Sequence, residues 1–275
     1  MQLKWLSAYL FSNKGLDRVL REQVAPFIQA ADSFLQAPSP YFFIRYGEGG
    51  PHIRLRLHIL QDEEPIVKAM LDKYASVRYV PYIPEIERYG NAATITLAEQ
   101  QFSLCSDYIL SLICDPEWDT TRKLSQAIQL NMALLYAAAI TPEEIKRICA
   151  QFIRSWLPGL YDRHLNSNEQ EQYFMALMEQ KFMQYAPVIL PPAAACWSAL
   201  QQDQPKIPLQ GYAGRHITLL QRYQQLINDP SKMRGILCSL LHMQHNRLGV
   251  PNTDEAYIVF FTMKCVEHIY DQIAG

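Results

Sequence analysis

No two cysteines in this 275-residue chain share the C-x-x-C spacing. Cys105, Cys114, Cys149, Cys196, Cys238 and Cys265 are all widely separated. A disulfide framework or a zinc site needs closer grouping, so the thiols read as reduced and mostly buried, as in a cytoplasmic protein. The opening MQLKWLSAYLF lacks the long apolar core and cleavage pattern of a signal peptide. No apolar run is long enough to span a bilayer, so no membrane partner is expected. Neither a P-loop nor G-x-G-x-x-G occurs, which leaves ATP or NAD chemistry without a motif and leads us to expect no cofactor. An excess of positive charge is missing too. A net charge of −2 argues against general nucleic-acid binding, so any basic patch must be local. Internal repeats and low-complexity tracts are absent. What remains is 49% hydrophobic and 19% charged, enough for one large domain or two closely packed small ones.

The stretch 41–60, YFFIRYGEGGPHIRLRLHIL, reads as two short strands joined by Gly47-Glu48-Gly49-Gly50-Pro51. Strand side chains alternate, so His52, Arg54, Arg56 and His58 share one face while Ile53, Leu55, Leu57 and Ile59 share the other. Arg45 lies on the neighbouring strand. So much positive charge on a sheet is costly to bury unless an anion answers it, and this face reads as the floor of an anion site. A solvated edge strand guarded by basic residues is the competing reading. The glycine-rich turn favours a site, because it lets a ligand approach the backbone.

Around this hairpin the periodicity predicts a strand over 4–11, a helix over about 15–36, a helix over about 63–75 and a strand over 77–83. Pro26 threatens to split the first helix, Ala37-Pro38-Ser39-Pro40 stops it, and Pro81 shortens the last strand. Strand, helix, strand, strand, helix, strand is the βαββαβ order of a ferredoxin-like unit with one sheet face left open. The rest reads as helices: from Asn91 or Thr96 to Cys114, 119–139, from Thr141, and from Ser167 to about 185. Pro187, Pro191 and Pro192 are expected to break the chain before a helix over 193–202. A loop over 205–213 then precedes helices at about 214–228, 231–248 and 253–273. The fold class is therefore α+β, with a ferredoxin-like part over 1–90 and a helical part over 91–275 packed on its open face.

Outside the hairpin two segments carry chemistry. Glu87-Arg88-Tyr89 in PEIERYG reads by itself as a surface pair beside a packing tyrosine. In His242-Met243-Gln244-His245-Asn246-Arg247, helical spacing puts His242 and Asn246 on one face with His245 close by. No third ligand is placed beside these histidines, so no metal site is expected. Asn246 could fix the His242 tautomer for acid/base work. Cys238 lies one turn before His242, which invites a Cys/His nucleophile reading; a cysteine in an apolar helix is more often core.

Several segments together resemble one family. They are a strand holding Trp5 and Leu10, then Leu16-Asp17-x-x-Leu20, Phe43-Ile44-Arg45-Tyr46, and Gly50-Pro51-His52-Ile53-Arg54-Leu55-Arg56. Glu85-x-Glu87-Arg88-Tyr89-Gly90 and His242-Met243-x-x-Asn246-Arg247-Leu248 follow. The sequence is similar throughout to the C-terminal elimination domain of class I lantibiotic dehydratases, also found in thiopeptide biosynthesis proteins. It departs where the family often carries a second glycine after Arg-Tyr-Gly; here the residue is Asn91.

The resemblance implies a lyase that removes glutamate from glutamylated Ser or Thr of a ribosomally made precursor peptide, leaving dehydroalanine or dehydrobutyrine. Arg54, Arg56 and Arg88 would hold the glutamyl group and the developing charge, and His242 would be the acid/base. Asn246 and Arg247 would support them. His52 and Arg45 are added from strand geometry as substrate-binding residues. The helical part would bring His242 over Arg54 and Arg56. Full-length dehydratases carry a large N-terminal glutamylating region for which this chain has no room. The resemblance therefore implies a stand-alone form served by a separate glutamyl-tRNA-dependent protein, without direct tRNA binding, and a homodimer as the assembly suggested by related domains. Two alternatives stay open: a pyridine-forming cycloaddition enzyme that closes thiopeptide macrocycles, and a non-catalytic scaffold for a precursor peptide or partner enzyme.

Overall fold

The computed structural model describes residues 2–35, 39–119, 122–202 and 207–274. The expected stop at Ala37-Pro38 and the start of the 205–213 loop lie outside the described residues. The chain divides into two compact units: Met1–Glu87 with Asn91–Trp118, and Arg88–Gly90 with Asp119–Gly275. The segment 91–118, expected with the helical part, therefore groups with the sheet, and the Arg88-Tyr89-Gly90 tripeptide groups with the helices.

In the first unit four strands, β1 (Leu3–Phe11), β2 (Tyr41–Tyr46), β3 (His52–Leu60) and β4 (Val77–Tyr79), form one sheet in the order β2-β3-β1-β4. Every neighbouring pair is antiparallel. β4 is three residues long because Pro81 follows it, and a proline cannot donate to a strand ladder. Between β1 and β2 runs a continuous helical segment: α1 (Leu16–Val19), a π-helical stretch Leu20–Val24, and α2 (Ala25–Phe34). Pro26 has no amide hydrogen for a carbonyl one turn back, and the wider π turn just before it lets the chain pass without splitting. The helix α3 (Glu64–Leu71) joins β3 to β4. Leu6, Ala8, Leu10, Ile53, Leu55, Leu57 and Ile59 are buried, as are Leu20, Val24, Phe27, Val67 and Leu71 of the helices. This is the apolar sheet face that the alternation of β3 requires.

The helix α4 (Ile95–Cys114) guards the edge strand β2. The Phe43 amide donates to Ser106 Oγ at 3.1 Å, which occupies an edge donor that another chain would otherwise take. Asn91, in place of the family's second glycine, initiates the turn before α4. Its Oδ1 accepts from Ala93 N at 2.9 Å and its carbonyl from Thr94 N at 3.1 Å. A short polar side chain thus does locally what a flexible residue would otherwise allow.

The second unit is helical: α5 (Lys123–Ala137), α6 (Pro142–Trp156), α7 (Ser167–Leu200), α8 (Pro208–Leu226), α9 (Pro230–Leu248) and α10 (Asn252–Ala274). Thr141 caps α6 by accepting from Glu144 N, and Gly249 ends α9 in the left-handed region at φ 80°. Two expectations are corrected. Pro187, Pro191 and Pro192 do not break α7. The carbonyls they would orphan, of Met183, Pro187 and Val188, belong to exposed residues that water can reach, while Phe182, Ile189, Ala193 and Trp197 anchor the opposite stripe. Residues 208–213 are not loop but the first turns of α8. Pro208 sits at its first position, and Gln210 Oε1 accepts from Ile207 N at 2.9 Å.

The helical core holds an unusual number of fully buried polar side chains, including Asn131, His216, Gln244, His245, Arg247, Glu255 and Thr262. His216 donates or accepts only through Nδ1, 2.8 Å from the Tyr212 carbonyl; that carbonyl accepts, so Nδ1 carries the proton. Burial pushes the His216 imidazolium down to about 4, against the opposing help of the Tyr212 carbonyl. An unfolded histidine keeps its ordinary value of 6.5, so unfolding takes up a proton and stability falls as pH drops below 6.5, until both states are protonated near 4. Between pH 8 and pH 5 the loss from this side chain should be about 2 kcal/mol. Urea denaturation of the native protein and of His216→Leu at both pH values checks this: the pH slope should be shallower in the variant.

Candidate functional site

The β3 stripe forms as its alternation requires. Ser7, Tyr9 and Phe11 of β1 stand opposite Arg56, Arg54 and His52, and Phe42, Ile44 and Tyr46 of β2 flank the same three from the other side. The Arg54 guanidinium lies 3.3 Å from the Tyr46 ring centroid and 4.7 Å from that of Tyr9. Its Nε–H donates to His52 Nε2 at 3.2 Å. That nitrogen therefore carries a lone pair, and His52 Nδ1–H donates to the Gly50 carbonyl at 2.8 Å. His52, 1% exposed, is a positioning group wedged between Tyr9, Phe11 and Tyr46. Arg56, 7% exposed, is flanked by Tyr82 and Phe42 at 4.9 and 5.4 Å. Aromatic faces partly offset the cost of desolvating these cations and hold both planes fixed.

Arg45 does not join this group. The register sets it across from Ile53, on the apolar face, where Nη1 meets Asp17 Oδ1 at 2.5 Å. Burial pulls the Arg45 pKa down and the Asp17 carboxylate opposes it. Odd and even positions of β2 point to opposite faces, so Arg45 could not share the side of Arg54. Arg78, which sequence reasoning passed over, does lie on that side at the register position beside Tyr9, and is exposed. Its alternation within Val77-Arg78-Tyr79 was the available signal.

In the helical unit, Arg88 Nε donates to Ser239 Oγ at 3.4 Å. Ser239 precedes His242 by three residues on α9, so the Arg88 guanidinium is tied to the helix face that carries His242. Tyr89 fixes the approach: it is 3% exposed, its carbonyl accepts from Tyr223 Oη at 2.6 Å, and Gly90 turns the chain at φ 112°. The left-handed φ explains the glycine here.

His242 has the partner that sequence reasoning missed. Its Nδ1 lies 2.9 and 3.0 Å from the two carboxylate oxygens of Glu255 on α10, and the Trp156 ring packs 4.9 Å away. Glu255 is fully buried. Burial works against its ionisation, but the hydrogen bonds from His242 and His245 outweigh it and hold the carboxyl below its usual range. An ionised carboxylate only accepts, so His242 Nδ1 carries hydrogen and Nε2 is the nitrogen that can exchange a proton. Asp254 and Glu255 have the form of the ordinary acidic first turn of a helix.

Other sequence candidates land as follows. Asn246 is half-buried one turn after His242. Arg247 is fully buried and its Nη1 donates to the Met243 carbonyl, a structural placement rather than a binding surface. Cys238 is buried, its thiol points to the Ile148 carbonyl, and burial pushes it up to about 12, which removes the nucleophile reading. Among the described residues, no three His, Cys, Asp or Glu side chains are grouped to hold a metal ion, and no helix is long and apolar enough to cross a membrane.

A family model described as lantibiotic biosynthesis dehydratase C-term matches residues 5–266. The chain belongs to this family. Of solved structures, this dehydratase C-terminal chain is similar to the tRNA-dependent lantibiotic dehydratase MibB from Microbispora sp. 107891, at TM-score 0.67 and 20% identity. That match covers 98% of this chain but 28% of MibB, so the chain spans little more than a quarter of that protein. It is also similar to TbtD, a pyridine synthase from thiomuracin biosynthesis (TM-score 0.74, 12% identity, 98% and 99% of the two chains). A third similar structure is TsrL (TM-score 0.68, 14% identity, 98% and 96%). A search of curated proteins returns no match. At these identities the likeness of the dehydratase C-terminal chain to the three structures is one of fold.

Proposed function

We propose that this chain is a lyase that removes glutamate from glutamylated Ser or Thr of a ribosomally made precursor peptide, on a ferredoxin-like sheet unit joined to a helical unit. The observation that carries the proposal is His242 pinned through Nδ1 to buried Glu255, with Arg88 bonded to Ser239 three residues before His242 on α9. In the reaction, His242 Nε2 takes the Cα proton. The C–H electron pair becomes the Cα=Cβ bond, and the Cβ–O bond breaks with its pair leaving on the glutamate carboxylate. Arg54, Arg56 and Arg88 hold the glutamyl group and the charge that develops, which is electrostatic stabilisation of the transition state. His52, Tyr9 and Tyr46 fix the Arg54 plane. A glutamylating protein supplies the substrate, and the alkene is dehydroalanine from Ser or dehydrobutyrine from Thr.

A glutamylated peptide deuterated at Cα tests the chemistry. Free glutamate should appear with an alkene that has lost the deuterium, and more slowly than from the unlabelled peptide. Glutamate released with Ser or Thr regenerated would mean hydrolysis and end the lyase reading. Arg54→Lys keeps the charge but loses the ring-stacked plane and the bond to His52. The expected result is a fall in kcat/KM of more than about tenfold, with little change in Tm.

The match to a pyridine synthase over nearly its whole length favours one second reading, cycloaddition of two dehydroalanines. The arginine stripe weighs against it, because that reaction has no glutamate to hold.

A further inference from the structure

We propose that a basic groove on the helical unit binds an acidic stretch of the precursor peptide, about three or four residues from the Ser or Thr presented to His242. The reacting residue is taken from the lyase reading, on which this proposal rests. One stripe of α9 is open. From Met233 to Leu248, Arg234, Gly235, Ser239, His242 and Asn246 are partly exposed and the rest are buried. Gly235, Ser239, His242 and Asn246 follow one another at helical spacing, so they run along a single side of the helix. Arg88 is bonded to Ser239, and the Trp156 ring packs 4.9 Å from that of His242.

At its Gly235 end this stripe meets a groove of about 650 Å³ beside α6. An added Cβ at Gly235 would stand 3.9 Å from Gln151 Nε2, and Gln151 lines the groove. The missing side chain leaves the passage from groove to stripe open at this point. Lys146, Arg147 and Arg154 of α6 and Arg234 of α9 line the groove, against one acid in its wall, Glu143. Neighbouring carboxylates do not fully cancel this charge. Arg147 and Arg234 share Glu144, at 3.2 and 3.1 Å. Lys146 meets Glu267 at 2.8 Å, a carboxylate that Lys264 also approaches at 3.7 Å. Arg154 is exposed and has no carboxylate within ion-pair distance among the described residues. Guanidinium groups suit carboxylates, which they can take with two parallel hydrogen bonds. Asp or Glu side chains of a peptide supply them. The net charge of −2 gives no general pull on a nucleic acid, whereas a short acidic stretch needs only this local field. From Gly235 to His242 the helix rises about 10 Å. An extended peptide advances about 3.3 Å per residue, so about three or four residues bridge groove and imidazole.

Fluorescence anisotropy at low salt with labelled, unglutamylated peptides tests the groove apart from the reaction. Each peptide carries one Ser, with an Asp-Asp, Ala-Ala or Lys-Lys pair about three residues before it or after it. For one of these placements the Asp-Asp peptide should bind about fivefold more tightly than the Ala-Ala peptide, the upper range for one exposed ion pair. Arg154→Glu, a change at an exposed position, should reverse the order so that Lys-Lys binds best. Equal binding of the three peptides, or a preference for Asp-Asp that survives Arg154→Glu, would overturn the proposal. So would tighter binding of an oligouridylate that the same variant loses, which would give the groove to nucleic acid. The glutamylated forms separate the groove from the lyase reading. With them the preference should appear in KM rather than in kcat. Glutamate released equally from all the peptides would remove the groove and keep the lyase reading. Arg154-dependent binding with no glutamate released from any peptide would do the reverse.

Discussion

His242→Ala will slow release of glutamate from a glutamylated peptide by about 10²- to 10⁴-fold, the usual contribution of a positioned acid/base group. The loss should appear in kcat, because the imidazole acts on the proton in flight rather than on the glutamyl carboxylate. Binding should persist, since the arginines proposed to hold the substrate are untouched. The side chain is 16% exposed and packs on Trp156, so its removal should leave the helical unit folded. Steady-state kinetics beside a thermal melt separates these outcomes. A variant that melts normally and turns over at the native rate would remove His242 from the chemistry.

Glu255→Ala should have the largest effect on stability. The carboxylate accepts from two imidazoles and is fully buried. Its loss leaves two imidazole N–H donors without their acceptor, a change that should cost about 2–6 kcal/mol at ~1–3 kcal/mol per unsatisfied donor. Gln is a poor substitute. Its amide offers one oxygen and one NH₂ where both histidines present hydrogens, so one donor would face another. Urea denaturation of Glu255→Ala and Glu255→Gln should therefore show large losses for both, with Gln somewhat less affected. Native-like midpoints would mean that the two imidazoles do not depend on Glu255 for their hydrogen bonds. Elimination should fall in both variants as well, because His242 would lose the contact that fixes Nδ1–H.

The parts of this arrangement legible in the sequence were those encoded locally. Period-two alternation placed His52, Arg54 and Arg56 on one face without any knowledge of the fold, and the same rule should have excluded Arg45, which sits at the opposite parity in register with Ile53. Helical spacing joined His242 to Asn246 but could not see Glu255, whose approach depends on how α10 packs against α9. Asp254-Glu255 satisfies an ordinary helix start, so its second role leaves no local trace. The prolines of α7 misled for a related reason. A helix can run through a proline where the freed carbonyls are hydrated, and exposure is set by tertiary packing. The aromatic cage around Arg54 draws Tyr9 and Tyr46 from two strands, and only the register reveals it.

The most direct test presents the protein with two peptides in parallel and follows both by mass spectrometry. One carries a glutamylated Ser or Thr; the other already contains dehydroalanines. The account predicts that the first loses one glutamate and becomes the alkene, dependent on Arg54 and His242, while the second is unchanged. A glutamylated peptide left intact while the dehydrated one is closed into a macrocycle would contradict it.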